Sequence, residues 1–280
     1  MMRKILAFIA LFALCHSAAF GQAGTTNWAG MEVNWDGTNP VTQIQGCQRV
    51  PQIQIGSSNS KNNIGAAWEG VGGFNGTSGI GQAGVIYQIT TSGAITYEPF
   101  YAFGTGGVQP IVETVNANEI NCVLFTCTAN CVANATNASI SLTMNECQNT
   151  VSSANCLAGT GALWTYTNSF TGKHTDLESA EWISETTTET LPTTLWNTPN
   201  FGYVPFENNT YTENGVTTTP SFVATTNGLQ MGTSTGWAFP SSGYGAGKNS
   251  FVVCGSPGPV PPCPGPSQLN NYQGRDMGGF

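Results

Sequence analysis

Along this chain Val, Ile, Thr, Tyr, Phe and Trp come in short runs broken by Gly, Asn, Ser and Pro, and no stretch beyond the first two dozen residues keeps a 3.6-residue apolar period over several turns. Short alternating runs bounded by turn formers predict an all-β protein. Strands are expected over 27–32, 64–70, 84–90, 95–103, 139–145, 164–168, 179–185, 200–203 and 251–254. Glycine-rich segments at 72–76 and 92–93 read as the loops between them, where glycine takes positive φ without steric cost. Many short antiparallel strands in a chain of this size favour a two-sheet antiparallel β-sandwich over a small barrel.

Three segments stand apart. The first, 1–23, has Arg3 and Lys4, an apolar run from Ile5 to Cys15 and then small and polar residues, the layout of a secretory signal peptide. Its apolar run of about 11 residues is well short of the roughly 20 that a membrane-spanning helix needs, so export without a membrane anchor is expected. The second, about 113–160, holds five cysteines among Asn, Ala and Thr and reads as a disulfide-pinned excursion carrying a strand or two. The third, 255–280, is rich in Gly and Pro and reads as a flexible tail. Between leader and tail, 24–254 is expected to form one domain, with no long propeptide ahead of it.

Nine cysteines less Cys15 in the leader leave eight, an even number for an exported protein, and disulfides are their expected use. A metal site is not expected: there is no CxxC pair, and His174 is the one histidine after the leader. Only 8% of residues are charged, with a net charge of −8, which makes nucleic acid an improbable partner. A surface of Thr, Ser, Asn and Gly has few ion pairs to lose as carboxylates protonate, which suits an acidic setting.

The usual hydrolytic kits are missing. A serine or cysteine nucleophile needs a base, and His174 lies in Gly172-Lys173-His174-Thr175-Asp176, which reads as an exposed turn. No Asp-Thr-Gly or Asp-Ser-Gly, HExxH, P-loop or dinucleotide motif occurs. What remains is a concentration of carboxylates in Leu177-Glu178-Ser179-Ala180-Glu181-Trp182-Ile183-Ser184-Glu185. On a strand Glu181, Ile183 and Glu185 share one face, and Glu is disfavoured there on propensity alone.

Ser179-Ala180-Glu181-Trp182-Ile183 resembles the segment that carries the catalytic glutamate of the glutamic peptidases, or eqolisins. Other segments agree in order: Asn27-Trp28-Ala29-Gly30 with the family's opening motif, Ala67-Trp68-Glu69-Gly70-Val71-Gly72-Gly73 with its Trp-Val-Gly-Ile segment, Gly81-Gln82-Ala83-Gly84-Val85 with the turn that holds the catalytic glutamine, Tyr97-Glu98 with the Tyr-Glu that follows, and Phe201-Gly202-Tyr203-Val204-Pro205-Phe206 with a later strand pair. The sequence departs from the pattern at Glu69, where the family commonly has an apolar residue, at Gly72, where many members have an acid, and at Pro99-Phe100, where a second tryptophan is frequent.

The resemblance implies a concanavalin A-like β-sandwich whose cleft takes an extended peptide, with Gln82 and Glu181 as the catalytic pair. Trp28, Trp68 and Glu98 are expected as substrate contacts, Glu98 also as a hydrogen-bond partner that orients Gln82. The implied protein is a secreted, monomeric acid endopeptidase acting on polypeptides, with no cofactor. Two other readings stay open on the residues alone: a carbohydrate-binding β-sandwich module without catalysis, and a jelly-roll glycoside hydrolase using Glu181 with Glu185 or Glu98.

Overall fold

A computed structural model describes residues 23–25, 28–34, 38–53, 63–73, 79–90, 92–104, 107–186, 201–220, 228–233, 236–240 and 249–256. The expected leader, apart from its last residue, and nearly all of the expected tail lie outside these. Sixteen strands are described: β1 (Ala23–Thr25), β2 (Trp28–Asn34), β3 (Val41–Arg49), β4 (Asn63–Val71), β5 (Gly81–Ile89), β6 (Ile95–Phe103), β7 (Gln109–Pro110), β8 (Ile120–Ala129), β9 (Ala135–Cys147), β10 (Ala162–Thr175), β11 (Ser179–Thr186), β12 (Gly202–Glu213), β13 (Val216–Thr218), β14 (Gly228–Thr233), β15 (Gly236–Pro240) and β16 (Phe251–Ser256). One short helix, α1 (Ser153–Leu157), is capped by the Ser152 hydroxyl, which accepts from the Asn155 amide at 3.2 Å.

Hydrogen bonding runs along one path, β10-β9-β8-β3-β12-β16-β15-β14-β2-β11-β4-β5-β6-β7. All neighbours are antiparallel except β1, which lies parallel to β14 off the path. The path folds on itself into the two faces of a sandwich. Trp182 of β11 donates its indole N–H to the Gln45 carbonyl of β3 at 3.2 Å, Gln48 of β3 donates its amide to the Ala67 carbonyl of β4 at 2.7 Å, and Phe103 of β6 meets Phe125 of β8 at 6.0 Å between ring centroids. Gly46 is the only residue small enough for this closeness, since a Cβ there would stand 2.7 Å from the Trp182 indole nitrogen.

The inner faces follow period two: Met31, Ala67, Val71, Ala83, Tyr87, Ala180 and Trp182 from one sheet meet Ile44, Val123, Phe125, Leu142, Met144 and Phe206 from the other, all buried. Polar groups also lie in this interior. Gln48, Asn121 and Glu146 are cross-strand neighbours on β3, β8 and β9, and Asn121 donates to Glu146 at 2.7 Å. Glu69 of β4 points the same way, fully buried, and neither carboxyl oxygen has a hydrogen-bond partner among the described residues.

The cysteine-rich stretch is part of the sheet: it supplies β8 and β9, two long strands paired with each other and flanked by β3 and β10. Disulfides join Cys47 to Cys122 across β3 and β8, Cys127 to Cys131, and Cys147 to Cys156 of α1, and Cys254 is disulfide-bonded as well. His174 is exposed as expected, but it stands in the irregular end of β10 rather than in a free turn, after a register shift between Phe170 and Lys173.

Candidate active site

Strand register assembles the site. β11, β4 and β5 are consecutive neighbours, and Glu181 is the cross-strand partner of Gly70, which is in turn the partner of Gln82. Directly opposed residues of antiparallel strands point to the same side, so the Glu181 carboxyl and the Gln82 amide rise from one face, two strand spacings or about 10 Å apart at the backbone. Between them stands a residue with no side chain. A Cβ at Gly70 would come within 2.7 Å of the Trp68 ring, so the glycine lets that indole lie against the strand beside the gap. The row continues to Ala102 on β6 beyond Gln82 and to Glu32 on β2 beyond Glu181.

The other expected contacts share this face, and their positions along it differ. Trp68 pairs with Ile183 on one side and Gly84 on the other, and donates its indole N–H to the Glu185 carboxylate at 2.9 Å. Trp28, partner of Glu185, meets Trp68 edge to face at 5.1 Å. Glu98 is exposed and pairs with Ile86, four residues along β5 from Gln82. At about 3.3 Å per residue that is roughly 13 Å, beyond the reach of a hydrogen bond to Gln82, so the orienting role expected for Glu98 is not available.

Glu181 is fully buried, and Ser179, two residues back on the same face, donates its hydroxyl to Oε1 at 2.6 Å. The other oxygen, Oε2, has no hydrogen-bond partner among the described residues. Burial holds the carboxyl well above the ordinary glutamate range; the Ser179 bond opposes this, and the charges of Glu32 and Asp176 add to it. Gln82 is half-buried. A neutral amide and a tunable carboxyl facing one gap can together hold a water and a carbonyl oxygen, one group accepting and the other donating.

Asp176 is a residue that sequence reasoning passed over. Its buried carboxylate accepts from the Gly73 amide at 3.0 and 3.1 Å and from the Glu178 amide at 3.1 Å, while its own amide donates to the Gly79 carbonyl at 2.8 Å. These bonds tie down both ends of the connection from β4 to β5, just ahead of Gln82. A Cβ at Gly72 would stand 2.3 Å from Asp176 Oδ1, so this acid occupies the space over the glycine, which itself takes φ +77°. Asp176→Ala is expected to cost about 2–3 kcal/mol of stability. Asp176→Asn, which keeps an acceptor, should lose less; thermal melts of the two variants check this.

A family model for the peptidase A4 family matches residues 26–238, which span every element of the site. The chain belongs to that family, the glutamic endopeptidases. Among solved structures, this glutamic peptidase is similar to scytalido-glutamic peptidase bound to a peptide-based transition-state analogue, at 17% identity and a TM-score of 0.54, covering 82% of this chain and 98% of that one. It is also similar to SCP-B, an eqolisin in complex with the tripeptide Ala-Ile-His, at 18% identity and a TM-score of 0.52 with the same coverage. At such identities the likeness establishes the β-sandwich fold. No curated protein matches the chain. Among the described residues no group of three His, Cys, Asp or Glu side chains is placed to hold a metal ion in this glutamic peptidase.

Proposed function

We propose that this glutamic peptidase is a secreted enzyme that hydrolyses peptide bonds in acid, with Glu181 as base and Gln82 as oxyanion donor. The observation that carries the reading is the row Gln82–Gly70–Glu181, which sets the two groups on one face with a side-chain-free position between them. Ionised Glu181 holds a water and takes its proton as the water oxygen bonds to the scissile carbonyl carbon. The carbonyl oxygen, now anionic, accepts from the Gln82 amide. Glu181 then returns the proton to the amide nitrogen, the C–N bond breaks, and a carboxylic acid and an amine leave. The Ser179 hydrogen bond favours the ionised carboxylate that the first step needs. Partly exposed Trp28 serves as a substrate contact, and Trp68, fully buried, backs it edge to face. Export is supported by the disulfides, which persist in oxidising compartments.

The test is cleavage of a denatured protein between pH 2 and 7 by wild type, Glu181→Gln and Gln82→Ala, with and without pepstatin. Pepstatin-insensitive acid proteolysis that depends on both residues is the expected result. A folded wild-type protein that cleaves nothing would overturn it in favour of a binding module.

A further inference from the structure

Glu32 stands directly across from Glu181 in the register of β2 and β11, on the same face, and is itself buried at 6% exposure. Directly opposed antiparallel residues have Cβ atoms about 4.5–5.5 Å apart, within carboxyl-to-carboxyl reach. We propose that Glu32 and Glu181 form a dicarboxyl pair that holds one proton between them, with Glu32 keeping the proton and Glu181 the charge. This rests on the reading of Glu181 as the base and gives Glu32 the part of a positioning residue.

Three observations carry it. Two buried like charges facing each other are mutually destabilising, so the doubly ionised pair is disfavoured in this setting. Ser179 donates to Glu181 and thereby marks it as the member that bears the charge. Glu181 Oε2, buried and without a hydrogen-bond partner among the described residues, is an acceptor in need of a donor, which a protonated Glu32 supplies. Glu32 and Asp176 both push Glu181 toward its protonated form, in keeping with the pairing.

Among the described residues, the surrounding ionisable groups leave this pair the dominant one. On the same face of β11, Glu185 is engaged by the Trp68 indole. From the segment ahead of β11, Asp176 is engaged by backbone amides. Glu69 of β4 points to the opposite face, β5 presents Gln82, Gly84 and Ile86 on this one, and the sequences of β14 and β15 contain no acid or base. A single shared proton makes the active state the one between two macroscopic ionisations, so the pair bounds activity on both sides in pH.

The experiment is the pH profile of kcat/KM for wild type, Glu32→Gln and Glu32→Leu, restricted by circular dichroism to pH values where each is folded. Glu181→Gln serves as control, and the carboxyl ¹³C resonances of Glu-labelled protein are titrated alongside. Glu32→Gln keeps a donor and cannot ionise. It should hold the acid limb in place and, one pH unit beyond the wild-type alkaline midpoint, be about tenfold more active than wild type. Glu32→Leu removes the donor, and its acid limb should move toward neutrality with about tenfold loss at the acid end. In the wild-type spectrum the two carboxyls should titrate in separate steps, and in Glu32→Gln a single step should remain. A Glu32→Gln profile superimposable on wild type, or two wild-type carboxyls titrating together, overturns the pair. If neither variant folds, the wild-type titration decides alone. An active Glu181→Gln would instead refute the base assignment, which the carboxyl titration does not depend on.

Discussion

Glu181→Gln is expected to lower kcat/KM by about 10⁴-fold, and Gln82→Ala by about 10²–10³-fold, with both proteins folded. The Gln side chain at 181 keeps the shape of Glu and can still accept from Ser179, so the change removes the base and little else. At 82 the loss is of a donor that acts only once the carbonyl oxygen has become anionic. It should therefore appear in kcat more than in KM. Because both groups serve the same step, their effects should not add: the double variant is expected within about tenfold of Glu181→Gln alone. Full additivity would mean that the two act on separate events. A further sign separates catalysis from structure. Glu181 is a buried acid, so its neutral replacement should leave the Tm unchanged or raised near pH 6, whereas a merely structural glutamate would lower it.

Some of this architecture is legible in the sequence. The alternation of Ile95 to Phe103 marks β6 to the residue, and that of Ser179 to Glu185 marks β11 to within one. β3 and β8 are not visible in the same way. Val41–Arg49 carries three glutamines, and Ile120–Ala129 carries Asn, Thr and two cysteines, residues that read as loop. They become strands because partners absorb their polarity: Gln48 donates to Ala67 and sits beside Asn121, which donates to Glu146. β12 runs on to Glu213 for the same reason, its polar stretch paired with β3 and β13.

The site divides similarly. Gln82 and Glu181 could be singled out by the order of short motifs, but not the reason they meet, which is that β4 lies between β5 and β11 with Gly70 in register with both. Pairing of strands so far apart in sequence leaves no local trace. Asp176 and Glu32 escaped notice because each acts through a contact across strands or loops, and Glu98 was misjudged because a cross-strand register, not nearness in sequence, decides what reaches Gln82. The departure at Gly72 also finds its physical complement, since the Asp176 carboxylate fills the space above it.

The departure at Glu69 leads to the second large effect, a fold that weakens as pH rises. Burial pushes Glu69 well above the ordinary carboxylate range. Burial pushes Glu146 up to about 8, against the Asn121 hydrogen bond and with the help of Glu119. Below the ordinary value of 4.5 these groups are protonated whether the chain is folded or not, and they impose no pH dependence. Above it the unfolded chain releases protons that the folded chain retains, so stability falls by about 1.4 kcal/mol per pH unit for each group until its folded value is passed. At pH 6.5 Glu146 alone takes about 3 kcal/mol from the roughly 5–15 kcal/mol that holds a typical protein folded, and Glu69 acts in the same direction. Glu69→Leu, which places an apolar side chain among Ala83, Val71 and Trp182, should therefore matter little at pH 3.5. By pH 6.5 it should be the more stable protein, with a margin in Tm over wild type that widens as pH rises. Thermal melts of wild type and variant from pH 3 to 7 give the difference directly, and a difference that does not grow with pH would show that Glu69 sheds its proton in the folded core. Growth with pH would trace a weakening of the fold toward neutrality to carboxyls that stay protonated between the sheets, independently of how Glu181 titrates.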